Sequence, residues 1–197
     1  METKNKTDEK IYHAERYEGR FNTIEDLKFL CKIICNTTDN YHYRCFLAII
    51  RGKNYFIYTH SDRTVATHSN DEEWPNIIEV ESDFKNWPEY IQIFFLLHEI
   101  GHIELGHIDF ICNHKILHSL DVFKACYIDS GNEKIEIEAD LFAKRVMSLS
   151  DQKYKKCIKS IEDQYKERYT NKEIDKKDFT FAKRMLAGRM KKVLSLS

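Results

Sequence analysis

The sequence predicts an α+β protein: a small antiparallel sheet packed beside one long apolar helix, followed by a mostly helical C-terminal half. Three observations predict it. Tyr41–Arg51 and Asn54–His60 are rich in β-branched and aromatic residues and are separated by a turn-like Arg51-Gly52-Lys53-Asn54. Tyr90–Leu97 is a continuous apolar run that opens after Trp87-Pro88, and proline suits a first helical turn. From Asp151 onward, dense charge alternates with apolar residues at helical spacing.

Taken in order, residues 1–20 are polar and read as a flexible or weakly helical N-terminus. Phe21–Asn36 reads as an amphipathic helix capped by Asn22 or Thr23, with Leu27, Leu30, Cys31 and Ile34 facing inward. The two strand runs follow. Thr64–His68 reads as a short third strand, and Ile77–Val80 as the last. An open sheet edge offers a peptide an added-strand mode of binding. A largely buried helix is expected from about Pro88 to His107. Two further helices are expected, at roughly 151–168 and 172–195. Phe181, Met185, Leu186 and Met190 of the last would face inward, with its Lys and Arg outward. The expected domain organisation is therefore a flexible 1–20, a domain over 21–150, and C-terminal helices over 151–197 that pack on it or extend it.

Composition narrows the function classes. The 197 residues carry a formal net charge of −1, so no global field draws the chain to nucleic acid or an anionic membrane. No stretch reaches the roughly 18 apolar residues of a spanning helix, and the polar N-terminus lacks a secretory apolar core. The six Cys are scattered without a C-x-x-C pair. They read as free thiols, and a cytoplasmic location is expected.

The apolar helix carries His98-Glu99-Ile100-Gly101-His102, an H-E-x-x-H motif. Residues four apart share one helix face, so His98 and His102 can reach one ion, and neutral imidazole suits Zn²⁺. Glu99 lies one residue round the helix, where a carboxylate can take a proton from a metal-bound water. A bland alternative exists for any such pair: a core helix with two satisfied histidines.

Catalytic zinc usually has a third protein ligand. His107 does not fit the metzincin spacing, because Leu105 and Ile108 stand where Gly and His are needed. It is expected instead at the helix C-terminus, interacting with free carbonyls. The better candidates lie in 133–147. There Ile135, Ala139, Phe142 and Val146 form an apolar stripe, and Glu136 and Glu138 flank it on opposite sides. Periodicity alone does not choose between the two. Glu136 has Asp140 one turn on, so the pair can divide the work, Glu136 binding the metal and Asp140 orienting a ligand His through its second ring nitrogen. Glu138 is then a solvated or salt-bridging residue, with Arg145 as a partner. The stretch 109–131 is hard to read. His114, His118 and Tyr127 within it are candidates for stabilising an oxyanion.

His98-Glu99-Ile100-Gly101-His102 followed by Glu136-Ile137-Glu138-Ala139-Asp140-Leu141-Phe142-Ala143 resembles the ImmA/IrrE-type metallopeptidases, which pair an H-E-[LI]-G-H helix with a later E-x-E-A-[ND]-x-F-A helix. The resemblance spans about Ile77–Met147, and Ile77–Val80 fits the edge strand that such proteins place just before the active-site helix. Val146-Met147-Ser148 stands where the family often has Leu-Met-Pro. It implies a gluzincin-like (zincin-like) fold around the active-site helix and one Zn²⁺ held by His98, His102 and Glu136. It also implies Glu99 as catalytic base, with Asp140 behind the ligands. The implied activity is zinc-dependent endopeptidase cleavage of a protein substrate, such as a helix-turn-helix, DNA-binding repressor of a phage or other mobile element. The alternative is a non-catalytic zinc-binding module that holds a repressor or antitoxin. Direct nucleic-acid or membrane binding is not expected.

Overall fold

A computed structural model describes residues 17–36, 44–61, 65–68, 72–73, 75–81, 84–107 and 130–196. The chain divides into two compact units, Met1–Gln92 and Ile93–Ser197. As expected, the protein is α+β.

The first unit holds a five-stranded sheet: β1 (Tyr17–Phe21), β2 (Arg44–Ile50), β3 (Lys53–Ser61), β4 (Val65–His68) and β5 (Asn76–Glu81), in the spatial order β1-β2-β3-β5-β4. The sheet is mixed where an antiparallel one was expected. β2–β3 and β4–β5 are antiparallel, but β1–β2 and β3–β5 are parallel. The first of these parallel pairs arises from β1, a strand where the polar composition of residues 1–20 suggested loose chain. Helix α1 (Ile24–Asn36) connects β1 to β2, and such a crossover makes two strands parallel. β5 lies inside the sheet between β3 and β4, so Ile77–Val80 is not an edge strand.

Local chemistry explains these elements. Thr23 caps α1: its Oγ1 accepts from the Asp26 N–H, while Asp26 Oδ2 accepts from the Thr23 and Asn22 N–H groups. Leu27, Leu30, Cys31 and Ile34 are buried, as their spacing predicts. Arg51 and Gly52, at φ 51° and 83°, form the two-residue turn between β2 and β3, where both positions need the left-handed region. Phe46, Ile57 and Ile78 face one another in register across β2, β3 and β5, and all three are buried. A 3₁₀ turn at Phe84–Asn86 precedes helix α2 (Glu89–Glu104). The Gln92 amide donates to the carbonyls of Phe84 and Trp87 and so fixes the start of that helix.

The unit boundary falls within α2. The second unit contains its remainder and three helices, numbered here among the described elements as α3 (Ser130–Val146), α4 (Asp151–Thr170) and α5 (Lys176–Ser195). Ser150 and Asp175 cap α4 and α5 by accepting from the N–H groups of Lys153 and Asp178. The helices over 151–197 thus belong to the same unit as residues 98–140. Two apolar stripes are rotated from expectation. On α3 the buried residues are Ile137, Ala139, Asp140, Ala143 and Lys144. On α5 they are Ala182, Leu186, Arg189 and Val193, while Phe181, Met185 and Met190 are half-buried. Charged residues take core positions, Asp140 and Lys144 on α3 and Arg189 on α5, which hydrophobicity alone does not reveal. Among the described residues, no helix is long and apolar enough to cross a membrane.

Candidate metal centre

Helix α2 presents His98 and His102 on one face. Both are buried, at 5% and 6% exposure. Helix α3 brings Glu136 to them. The approach depends on Gly101, since a Cβ there would meet Phe142 Cδ1 at 3.1 Å and the Ala139 backbone Cα at 3.3 Å. Glycine between the two histidines and alanine three residues after Glu136 let the helix backbones come close enough for the three side chains to converge.

His98 Nε2 and His102 Nε2 are 3.1 Å apart. The Glu136 carboxylate oxygens lie 3.4 Å from each of these nitrogens, Oε2 to His98 and Oε1 to His102. An ion with tetrahedral bonds of about 2.05 Å sets its ligand atoms roughly 3.3 Å from one another. Two imidazole nitrogens and a carboxylate form a borderline-soft donor set that suits Zn²⁺. The group could therefore hold a metal ion, since one ligand atom from each residue lies within 4.8 Å of the others. Glu99 is buried on the same helix.

Around these three is a layer of charged partners. His98 Nδ1 lies 3.0 Å from Asp140 Oδ1, which fixes the proton on Nδ1 and turns Nε2 towards His102 and Glu136. Asp140 is wholly buried. Tyr154 Oη donates to its Oδ2 at 2.7 Å. Arg189 donates from Nε to Oδ2 and from Nη2 to Oδ1, each at 2.5 Å, and from Nη1 to Glu136 Oε2 at 2.7 Å. Its Nη2 also lies 3.3 Å from His98 Nδ1.

The electrostatics follow from these contacts. Burial pushes the Asp140 carboxyl up, but the charge and hydrogen bonds of Arg189, with His98 beside it, prevail and hold it down to about 2. Burial also opposes ionisation of Glu136. The Arg189 charge and both imidazoles outweigh it and keep Glu136 well below the usual carboxylate range. For His98, burial and Arg189 favour the neutral ring; hydrogen bonds to Asp140 and Glu136 overcome them and raise it to about 9. A cation arriving between these groups meets ionised Glu136 and Asp140.

His107 lies just past the helix C-terminus, as expected, but its ring contacts His102 and Glu138. Gly106, at φ 72°, ends the helix and turns the chain, and His107 is buried with its Nδ1 3.0 Å from His102 Nδ1. Its Nε2 lies 3.1 Å from Glu138 Oε2. Burial and the neighbouring His102 lower its pKa against the pull of Glu138. Glu138 pairs with His107 and Lys134, not with Arg145.

His98, His102, Glu136 and Asp140, the residues that the resemblance implied, are thus brought together. Arg189, Tyr154 and the His107–Glu138 pair were not foreseen as parts of the site. For Arg189 a signal was present: it occupies a core slot in the spacing Ala182, Leu186, Arg189, Val193. His114, His118 and Tyr127 lie outside the described residues. Comparison with protein-family models, with characterised proteins and with solved structures gave no match to the chain.

Proposed function

We propose that the protein is a zinc-dependent endopeptidase of the ImmA/IrrE type, acting on a protein substrate in the cytoplasm. One observation carries this reading: two imidazoles from one helix and a carboxylate from another converge closely enough to share a single ion. The H-E-x-x-H order supports the second half of the chemistry, since Glu99 follows the first ligand histidine, where the motif carries its base. Among the described residues, Cys31, Cys35 and Cys157 are not joined in disulfides, which accords with a reducing compartment.

A bound Zn²⁺ would supply Lewis acidity and lower the pKa of a coordinated water towards ~7. His98, His102 and Glu136 would hold the ion, and Asp140 keeps the His98 proton on Nδ1 so that Nε2 offers its lone pair. Glu99 accepts the proton of the attacking water and returns it to the departing amine. The buried surroundings of Glu99 strengthen that exchange by excluding bulk water.

A helix-turn-helix repressor from a mobile element is the proposed substrate class, on the sequence resemblance alone. The test is incubation of zinc-loaded protein with a repressor from the same genetic neighbourhood. Cleavage by the native chain, absent in Glu99→Gln protein that still holds zinc, supports the proposal. Tight binding without cleavage by the native chain identifies a non-catalytic module that holds its partner instead.

A further inference from the structure

We infer that Glu138 and His107 form a relay that fixes the second ligand imidazole, His102, from its outer nitrogen. The inference rests on reading His98, His102 and Glu136 as a metal centre, and it concerns what holds that centre in shape. Each ligand histidine then has its own support. Asp140 holds His98 directly, and Glu138 holds His102 through an intervening ring.

The proton arrangement is self-consistent along the whole chain. If Nε2 of His102 offers its lone pair to a metal, its Nδ1 carries the proton. That proton points at His107 Nδ1, 3.0 Å away, which must accept. His107 then carries its own proton on Nε2, 3.1 Å from the acceptor Glu138 Oε2. One tautomer of each ring satisfies every contact. Lys134 Nζ lies 3.6 Å from the other oxygen of Glu138, leaving Oε2 for the ring.

The backbone is built for this contact. On a continuous helix, residues five apart point about 140° from one another, so His107 could not meet His102. Gly106 adopts φ 72°, the left-handed region that favours glycine, and this turn carries His107 back to the His102 ring. The buried Nδ1 of His102 needs a partner, and the turn supplies one.

The test measures Zn²⁺ affinity by competition with a chelating dye for native protein, Glu138→Gln, His107→Phe and the double variant, with folding checked by circular dichroism. A relay predicts that each single variant loses about tenfold or more in affinity. It also predicts that the double variant is no weaker than His107→Phe alone, because both changes cut one chain. Unchanged affinity in Glu138→Gln, or losses that add, overturns the relay while leaving the metal centre standing. Native protein that binds no stoichiometric zinc overturns the centre itself. Should His107→Phe not fold, imidazole ¹⁵N spectra of native zinc-loaded protein decide. A proton on Nε2 of His107 and on Nδ1 of His102 supports the relay, and the opposite tautomer of His107 overturns it.

Discussion

The guanidinium of Arg189 grips both oxygens of Asp140 in parallel, Nε to Oδ2 and Nη2 to Oδ1, deep in the second unit. This fork geometry is specific to arginine. It lets the last helix neutralise the carboxylate behind His98 while a third nitrogen reaches Glu136. Removing one member of a buried pair leaves an uncompensated charge, at a cost of about 3–5 kcal/mol. Arg189→Met should lower the urea unfolding free energy by that order and weaken zinc binding as well. Arg189→Lys should restore little of either, since an ammonium cannot make the two parallel bonds. Chemical denaturation with and without zinc checks both statements.

Acid sensitivity follows from the same pair. The Asp140 carboxyl is held at about 2 in the folded protein against an ordinary value of 3.8. A carboxylate with a depressed folded pKa stabilises the fold above the ordinary value, and that contribution disappears as pH falls through the folded one. Its size is about 2 kcal/mol. Chelator-treated native protein should therefore lose stability between about pH 4 and pH 2. Asp140→Asn, less stable at pH 6, should lose correspondingly less over that interval. Parallel denaturation curves at pH 6 and pH 3 measure the difference.

Gly101 tests the closeness of the two helices. An added methyl gains about 1 kcal/mol of helix propensity but presses on the Ala139 backbone and the Phe142 ring. Gly101→Ala is expected to change stability by less than about 1 kcal/mol, because these effects oppose. Zinc affinity should still fall by about tenfold as Glu136 moves away from the imidazoles. Gly101→Val should lower both. Thermal unfolding beside zinc titration separates the two effects.

Much of this site was legible in the sequence because its elements are short and local. The i, i+4 spacing of His98 and His102, and of Glu136 and Asp140, fixes which side chains share a helix face whatever the tertiary structure does. The Thr23 cap, the Arg51-Gly52 turn and the Leu27, Leu30, Cys31 and Ile34 face are local in the same way. What stayed hidden depends on long-range pairing. Arg189 is separated from Asp140 by more than a whole helix, and hydrophobic periodicity discounts a charged residue in a core slot. The rotation of the α3 and α5 stripes has that one cause. The parallel β1 was masked by polar residues on a strand whose partner, β2, lies beyond α1. The contacts of His107 depend on the left-handed backbone of Gly106, which spacing does not reveal.

The choice between the two glutamates of α3 is a matter of distance. Glu136 has its oxygens 3.4 Å from both imidazole Nε2 atoms, whereas Glu138 meets His107. Glu136→Ala should reduce zinc affinity by two orders of magnitude or more, and Glu138→Ala by about tenfold. Competition titrations read both, and the reverse ranking would place the third ligand on Glu138.

Glu99→Gln isolates the proposed chemistry from the metal. The amide is nearly isosteric but cannot accept the proton, so zinc content should stay at the native level while cleavage falls by at least a hundredfold. Native-rate cleavage by the variant would remove Glu99 from the mechanism.

The most direct measurement is the metal content of purified protein after loading with zinc and removal of unbound ions, for the native chain beside His98→Ala, His102→Ala and Glu136→Ala. Convergence of these three side chains predicts close to one zinc per native chain and a large loss in every variant. A native chain that folds but retains almost no zinc, or variants that retain it fully, would contradict the metal centre.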